Sequence, residues 1–461
     1  MKSPDEISAF LRDTLADRAV DRGVPAAAVA VLVGDEIVDH ATGVLNTATG
    51  VEATTESVFQ IGSITKVWTA TLVMQLVDEG LVDLDEPIRT YLPEFRLADA
   101  DAADAITVRQ LLSHQAGFEG DVFTDTGRGE DAIEKYVVSL ADLPQIFAPG
   151  TMFSYNNAGY VVLGRLVEQM RGTSWAEALT EKLVVPLGLE RVSPSPYEAI
   201  LHRVAVGHLG ADDDGIAIPA PLWAMAPSNA PAGSMLAMTA RDLAGFARMQ
   251  LSDGRAPDGA QVLSPAAVEA MRTPLVDLPR LTAMGAAWGL GWEMDRIGDH
   301  PLYGHDGNTV GQSSFLRIAP DAGVAIVLLT NGGDAMGLFH DIADPLLQAL
   351  ADEGLPAQPA PPAEPRDLEV GPFLGVFANS TVEMEILQDD EGVLWLEQRP
   401  APSLVELGGE ASRTELVVFG DDALIMREPR DGMHVVLAFL SPDEQGRHGY
   451  VHVGRAIARA R

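Results

Sequence analysis

The sequence predicts an α+β protein in two parts: an antiparallel sheet flanked by helices, then a small closed antiparallel β-barrel. Three observations lead there. Short β-prone runs near both ends of the first 350 or so residues are joined by tight turns, the pattern of antiparallel pairing. Between them lie segments whose apolar residues recur at helical spacing. Beyond a proline-rich stretch at 355–366, about 95 residues consist of short alternating runs punctuated by Gly, Asp and Pro, which suits a closed barrel.

Taken in order, the chain up to about Arg22 forms a mixed-charge amphipathic helix. Two apolar runs, 24–34 and 36–43, flank Gly34-Asp35 and read as a hairpin of edge strands. Residues 54–60 lead into a helix that starts at Ser63 and runs through Leu76, with Ile64, Val67, Trp68, Leu72, Val73 and Leu76 at helical spacing. Prolines and paired acids interrupt any period over 81–87 and 91–93, which read as extended surface segments. Thr107 opens a helix through Leu112. It ends at Ser113-His114-Gln115-Ala116-Gly117, where His114 is read as holding the loop by hydrogen bonds. The Gly- and Asp-rich stretch 118–134 reads as a surface loop near any cleft.

A turn at Pro149-Gly150 precedes a second helix to about Met170, with Tyr155 and Asn157 at its start. Residues 191–232 are loop-rich and hold six prolines, so Trp223 and Met225 there suit a pocket wall better than a core. Thr239 caps a helix to about Leu251. Strands follow at 288–294, 302–304, 313–319 and 324–330, and a helix over 336–351 packs back on them. Five prolines in the twelve residues 355–366 make an extended, semi-rigid linker between a domain at 1–354 and another at 367–461. Barrel strands are expected at 382–387, 393–398, 404–407, 415–419, 423–427, 434–439 and 450–456.

Composition narrows the function. The net charge of -36 repels phosphate backbones and anionic lipid, so neither nucleic acid nor a membrane surface is an expected partner. The absence of cysteine removes disulfides, cysteine nucleophiles and thiolate metal sites together. No run approaches the ~20 apolar residues that span a bilayer. The amphipathic start differs from an export leader, and the expected location is the cytoplasm.

The chemistry centres on Ser63 and Lys66. Three residues apart on a helix, they face the same way, so a lysine made neutral by apolar neighbours can take the serine proton. The plainer alternative makes Ser63 a helix cap and Lys66 a solvated residue, but of four lysines in the chain only Lys66 has a serine three positions before it. Tyr155 and Asn157 stand at another helix start, where a buried tyrosine and a capping asparagine are the plainer reading. No Gly-x-Ser-x-Gly, phosphate-binding loop or His-Glu-x-x-His is present, so no cofactor and no metal are expected.

Ser63-x-x-Lys66, Tyr155-x-Asn157 about ninety residues on, and His305-x-Gly307 about 150 further together resemble the penicillin-binding protein and class C β-lactamase superfamily. The resemblance extends to residues 111–117 and to Gly233-Ser234-Met235, and covers most of residues 10–350. It implies a β-lactamase/transpeptidase-like fold with an all-helical subdomain, followed by a lipocalin-like barrel. It also implies that Ser63 is acylated, that Lys66 and Tyr155 share the proton transfers, and that Asn157 holds the lysine and the substrate amide. The usual third motif is Lys-Thr-Gly. His305-Asp306-Gly307 is the variant of esterases and peptidases in the group, which puts β-lactamase activity in doubt. Neutral or protonated, His305 can tune Tyr155 or polarise the leaving group. Backbone N–H groups of Ser63 and Asn308 form the implied oxyanion hole.

The two-domain layout resembles D-stereospecific peptidases and, among nonribosomal peptide enzymes, the stand-alone penicillin-binding-protein-type thioesterases. The latter imply a peptidyl thioester from a carrier protein of a synthetase acting in trans, a D-residue at the acyl position, and release as a head-to-tail macrolactam. A D-aminopeptidase or esterase is the alternative, and a non-catalytic binding protein a second. Phe153, Trp223, Gly233, Gly307 and the barrel are expected to wall the pocket. Arg455, in the last barrel strand, either reaches across the domain interface or is a solvated barrel residue.

Overall fold

The computed structural model describes residues 3–364, 366, 368–405, 410–430 and 432–460. Ser3 and Glu6 form a reciprocal capping pair at the start of helix α1 (Pro4–Asp21). Ile7, Leu11, Leu15 and Ala19, every fourth residue of α1, make its one buried stripe. The chain then forms the expected hairpin, β1 (Ala26–Val33) and β2 (Glu36–Asn46).

β1 is not an edge strand. Its Ala27, Val29 and Val31 join the α1 stripe, while Ala26, Ala28, Ala30 and Leu32 join the larger core on the opposite face. An uninterrupted run of small apolar residues is the mark of a strand covered on both faces, and the Gly34-Asp35 turn says nothing about the partner on the far side.

Three helices build the larger core: α2 (Thr65–Asp78), α3 (Asn157–Arg171) and α4 (Ala240–Leu251). Every residue from 65 to 76 is buried, so α2 is a central helix. It packs on α3, and α4 packs on β1. The stretch 81–93 is less exposed than its acids suggest: Val82, Leu84, Ile88 and Leu92 are buried around a 3₁₀ turn, Ile88–Thr90.

The sheet continues with β3 (Glu293–Ile297), β4 (His300–Thr309), β5 (Gln312–Ala319) and β6 (Val324–Thr330), and helix α5 (Ala335–Leu350) returns to pack beside α1. Nine strands run in the order 51–52, β2, β1, β6, β5, β4, β3, 287–288 and 276–277. Two expectations change here. The run 288–294 is a hairpin, Ala287 pairing with Met294, and not one strand. His305-Asp306-Gly307 lies inside β4, which does not stop at Gly304, because its pairing with β5 continues to Thr309.

The segment 355–364 has no regular structure, and its start is tied to α5 through Leu355 N–H to Asp344 Oδ1 (2.6 Å). A closed eight-stranded up-and-down barrel follows, with strands at 375–378, 382–388, 394–400, 412–420, 423–426, 436–442, 448–452 and 456–459. The four-residue first strand, which begins at a glycine, escaped the alternation pattern. The strand expected at 404–407 is absent from its described part, where Pro402–Val405 is helical; residues 406–407 lie outside the described residues. The run 450–456 breaks at Val453-Gly454-Arg455, where Gly454 takes a φ of +92° that other residues resist.

The barrel docks on the first part through specific bonds. Ser380 donates from both N–H and Oγ to Glu119 (2.8 and 2.6 Å), and Thr282 Oγ1 donates to the His434 carbonyl (2.7 Å) while accepting from Val436 N–H (2.8 Å). Among the described residues no helix is long and apolar enough to cross a membrane.

Candidate active site

Ser63 sits in a 3₁₀ turn, Gly62–Ile64, immediately before α2, and not in the helix itself. Lys66, in the first turn of α2, is fully buried. Its Nζ lies 3.0 Å from Ser63 Oγ and donates to the Ala232 carbonyl (2.6 Å). Burial holds the lysine well below its ordinary pKa. The Arg455 guanidinium pushes the same way and Asp121 opposes it. A neutral amine so placed can accept the serine proton.

Tyr155 precedes α3, whose capping residue is Asn156: its Oδ1 accepts from Gly159 N–H (2.7 Å). The plainer reading of Asn157 as a cap therefore falls away, and its amide points elsewhere. Asn157 Nδ2 donates to Asp121 Oδ1 (2.7 Å), and the implied contact with Lys66 is not formed. Tyr155 lines the same cleft as Ser63, and burial pushes its pKa up, so it remains a proton donor. Lys66 Nζ stands 4.9 Å from the centre of the Tyr155 ring. His114 does what its turn suggested. Its Nδ1 accepts from Asn156 N–H (2.9 Å), and its ring stacks on Tyr155 at 4.3 Å.

Arg455 is not in a strand, and its side chain is half-buried. From the turn between the last two barrel strands it forms a two-point pair with Asp121 (2.8 and 3.2 Å) and lies 4.8 Å from the Tyr155 ring centre. The same turn binds the backbone before α3: Tyr155 N–H donates to Gly454 O (3.0 Å), Ala456 N–H to Ser154 Oγ (3.1 Å), and His452 Nε2–H to Phe153 O (2.9 Å).

His305, on β4, is 2% exposed. Its Nδ1–H donates to its neighbour's carbonyl, Asp306 O (2.6 Å), which leaves Nε2 as a buried acceptor with no partner among the described residues. Burial, reinforced by Lys66, lowers its pKa to about 3, so it is neutral in ordinary conditions. It therefore cannot stand in for the ammonium of a Lys-Thr-Gly motif. Gly307 is required by close approach, since a methyl there would overlap the Ile61 carbonyl oxygen. A methyl on Gly62 would lie 2.7 Å from Asn308 N, so the Asn308 amide stands against the Ser63 turn. Gly233 packs on the other side, its missing methyl 2.9 Å from Ser63 N.

These residues face one cleft of about 1090 Å³, lined by Ser63, Tyr155, Asn157, Gly233, His305, Asn308 and Arg455. Met225 also lines it; three expected wall residues, Phe153, Trp223 and Gly307, do not. Phe153 is buried behind Tyr155, packed on His114 and Trp288. Trp223 turns its indole N–H to the Ala205 carbonyl (2.8 Å). Their place is taken by Trp288, Met284, Phe123 and, from the barrel, Met433. Asp121 was also missed. The only sequence signal for it was the Gly- and Asp-rich loop that carries it.

The description of the beta-lactamase family matches residues 11–351. The chain belongs to the beta-lactamase family. Within it, the chain is 46% identical over 358 residues to penicillin-binding protein 4 of Amycolatopsis lactamdurans, covering 77% of this chain and 93% of that protein. It is similar to the solved structure of SurE over 99% of both chains, with a TM-score of 0.79 and 31% identity. A second structure, of SurE with D-Leu, gives 0.78. The D-amino acid amidase of Ochrobactrum anthropi SV3, complexed with D-phenylalanine, shares the fold at a TM-score of 0.63 and 24% identity, over 76% of this chain and 99% of that one. The serine hydrolase fold of the family thus frames Ser63, Lys66 and Tyr155, and the likeness to SurE includes the barrel.

Proposed function

We propose that this protein is a serine acyltransferase that takes a peptidyl thioester onto Ser63 and releases the peptide as a head-to-tail macrolactam, with a D-residue at the acyl position. The observation that carries this reading is the likeness to SurE over 99% of both chains, barrel included, together with the D-Leu in the second SurE structure. In this reading the peptide arrives on a carrier protein of a nonribosomal peptide synthetase acting in trans, in the cytoplasm.

In the first step the Ser63 oxygen attacks the thioester carbonyl while neutral Lys66 takes its proton. The developing oxyanion meets the N–H groups of Ser63 and Asn308, donors of a kind whose loss costs roughly 3 kcal/mol of barrier. The C–S bond breaks, and Tyr155, kept protonated by burial, passes a proton to the departing thiolate and is reprotonated from Lys66. In the second step the peptide's own amine attacks the ester, and its proton returns to the serine oxygen. Neutral His305 offers Nε2 as an acceptor for an N–H of the substrate. For cyclisation the cleft must shield the ester from water while the peptide folds back on itself.

The same acyl-enzyme also serves hydrolysis of D-amino-acid amides or esters. That reading is favoured by one observation: the ligand named with SurE is a single amino acid and not a peptide. Mass spectrometry of linear peptidyl thioesters ending in a D- or an L-residue separates the two. Product lighter by one water than the free acid, from the D substrate alone, is expected. Free acid alone from both substrates overturns the cyclase and leaves the hydrolase. Unchanged labelling of Ser63→Ala by an active-site phosphonate would overturn Ser63 as the nucleophile.

A further inference from the structure

Glu293, the first residue of β3, is a buried carboxyl that the proposed chemistry does not use. It is 8% exposed. It stands opposite Gly304 of β4, which stands opposite Arg317 of β5, so the three form a row across the sheet. Gly304 has no side chain, and Arg317 and Glu293 approach over it to 3.5 Å. Yet Arg317 is already satisfied: Asp306, on the same face of β4, holds it at two points (2.5 and 3.2 Å). Beyond that single approach, the Glu293 carboxyl has no hydrogen bond to any described residue. A buried carboxyl without such bonds costs stability that a fold does not spend without return.

Glu293 faces open space. With Met284, Asp306 and Met336 it lines both the cleft and an adjoining cavity of about 430 Å³. That side cavity carries the carboxyls of Glu293, Asp295 and Asp306 and the guanidinium groups of Arg280 and Arg317. His340 adds no charge there, because burial holds the imidazole towards its neutral form. Burial pushes the Glu293 carboxyl far above the carboxylate range despite Arg317, so it holds a proton until a cation comes to meet it. Met284, Met336 and Phe339 give the cavity an apolar stretch of wall.

We propose that this side cavity is a substrate subsite for a basic side chain, whose aliphatic stem lies on Met284, Met336 and Phe339 and whose amine or guanidinium meets Glu293. Long cationic side chains bury their stems in this way when the charged end finds a partner. The inference deepens the peptide acyltransferase reading and rests on it for the substrate class.

The test uses the full chain and a set of linear peptidyl thioesters in which lysine replaces norleucine at one position at a time. At one position lysine is expected to raise kcat/KM by about tenfold or more, the size of one charge-assisted bond. Glu293→Gln should bring that ratio towards one. Met336→Trp, which fills the path of the stem, should do the same and serves if the first variant does not fold. Calorimetric binding of the matching free peptides to Ser63→Ala gives a readout independent of the reaction. If no thioester is turned over, the acyltransferase reading fails, and the calorimetric comparison still decides the subsite. Norleucine equal to or better than lysine at every position, in rate and in binding, overturns the inference.

Discussion

Lys66 is buried without any ion-pair partner among the described residues, between one group that lowers its pKa and one that raises it. The acidic limb of kcat/KM should therefore follow the lysine, rising as pH climbs through its depressed pKa and the amine becomes neutral. Arg455→Gln removes a nearby positive charge, raises the lysine pKa and should move that limb to higher pH. Asp121→Asn removes a negative charge and should move it lower. A limb that stays in place in both pH–rate profiles would take the base role from Lys66. Lys66→Ala should cost at least about a hundredfold in acylation, the lower range for a general base; stopped-flow measurement of the acylation burst reads this directly, and a mild loss would pass the role to Tyr155. Gly307→Ala tests the oxyanion hole. The added methyl meets the Ile61 carbonyl and must push β4 away from the Ser63 turn, so kcat should fall by about a hundredfold, the effect of one lost donor. Thermal unfolding of the same variant checks that the loss is local.

At the scale of elements, the turn at 452–456 acts as a clamp on the strand-like segment before α3. His452 is its hinge pin, donating from Nε2 to Phe153 O while its Nδ1 accepts from Gly454 N–H (3.2 Å). Accepting from Gly454 N–H requires the neutral ring, whereas the bond to Phe153 O survives protonation and partly opposes the shift. Burial lowers its pKa to about 4, against about 6.5 in an unfolded chain. The unfolded state therefore binds more protons between these values, and the stability contributed by His452 is complete above pH 6.5 and lost as pH falls towards 4. The slope is about 1.4 kcal/mol per pH unit for one such group. His305 and His114, also lowered by burial, act in the same direction. His452→Gln should be less stable than wild type at pH 7 but show a shallower decline down to pH 4.5 in urea unfolding. Parallel curves for the two proteins would remove His452 from the pH response.

For the whole molecule, the barrel is part of the site and not an appendage. It supplies Arg455 beside Tyr155, and its turn holds the backbone of Tyr155. Thr282→Val breaks two bonds that fasten the barrel beside Met284 and should cost about 1–3 kcal/mol, seen as a lower urea midpoint in tryptophan fluorescence. Trp288 lies in the first part and Trp395 in the barrel, so fluorescence and far-UV dichroism should report one transition. Two separate transitions would mean that the halves are held together only weakly.

What the sequence determined by itself was local. Helical period placed Ser63 beside Lys66, turn residues announced the hairpins of the sheet and most barrel strands, and Thr107 and Thr239 marked their helices as caps. These depend on neighbours a few positions apart, where propensity and periodicity act. Tertiary structure alone decided the rest. It put β1 inside the sheet, replaced Phe153 and Trp223 in the cleft by Trp288 and Met284, turned Asn157 to Asp121, and carried Arg455 across three hundred residues to Tyr155. The charge states of Lys66 and His305 belong with these. Both are set by desolvation, and desolvation exists only once distant parts of the chain close around a group and remove its water.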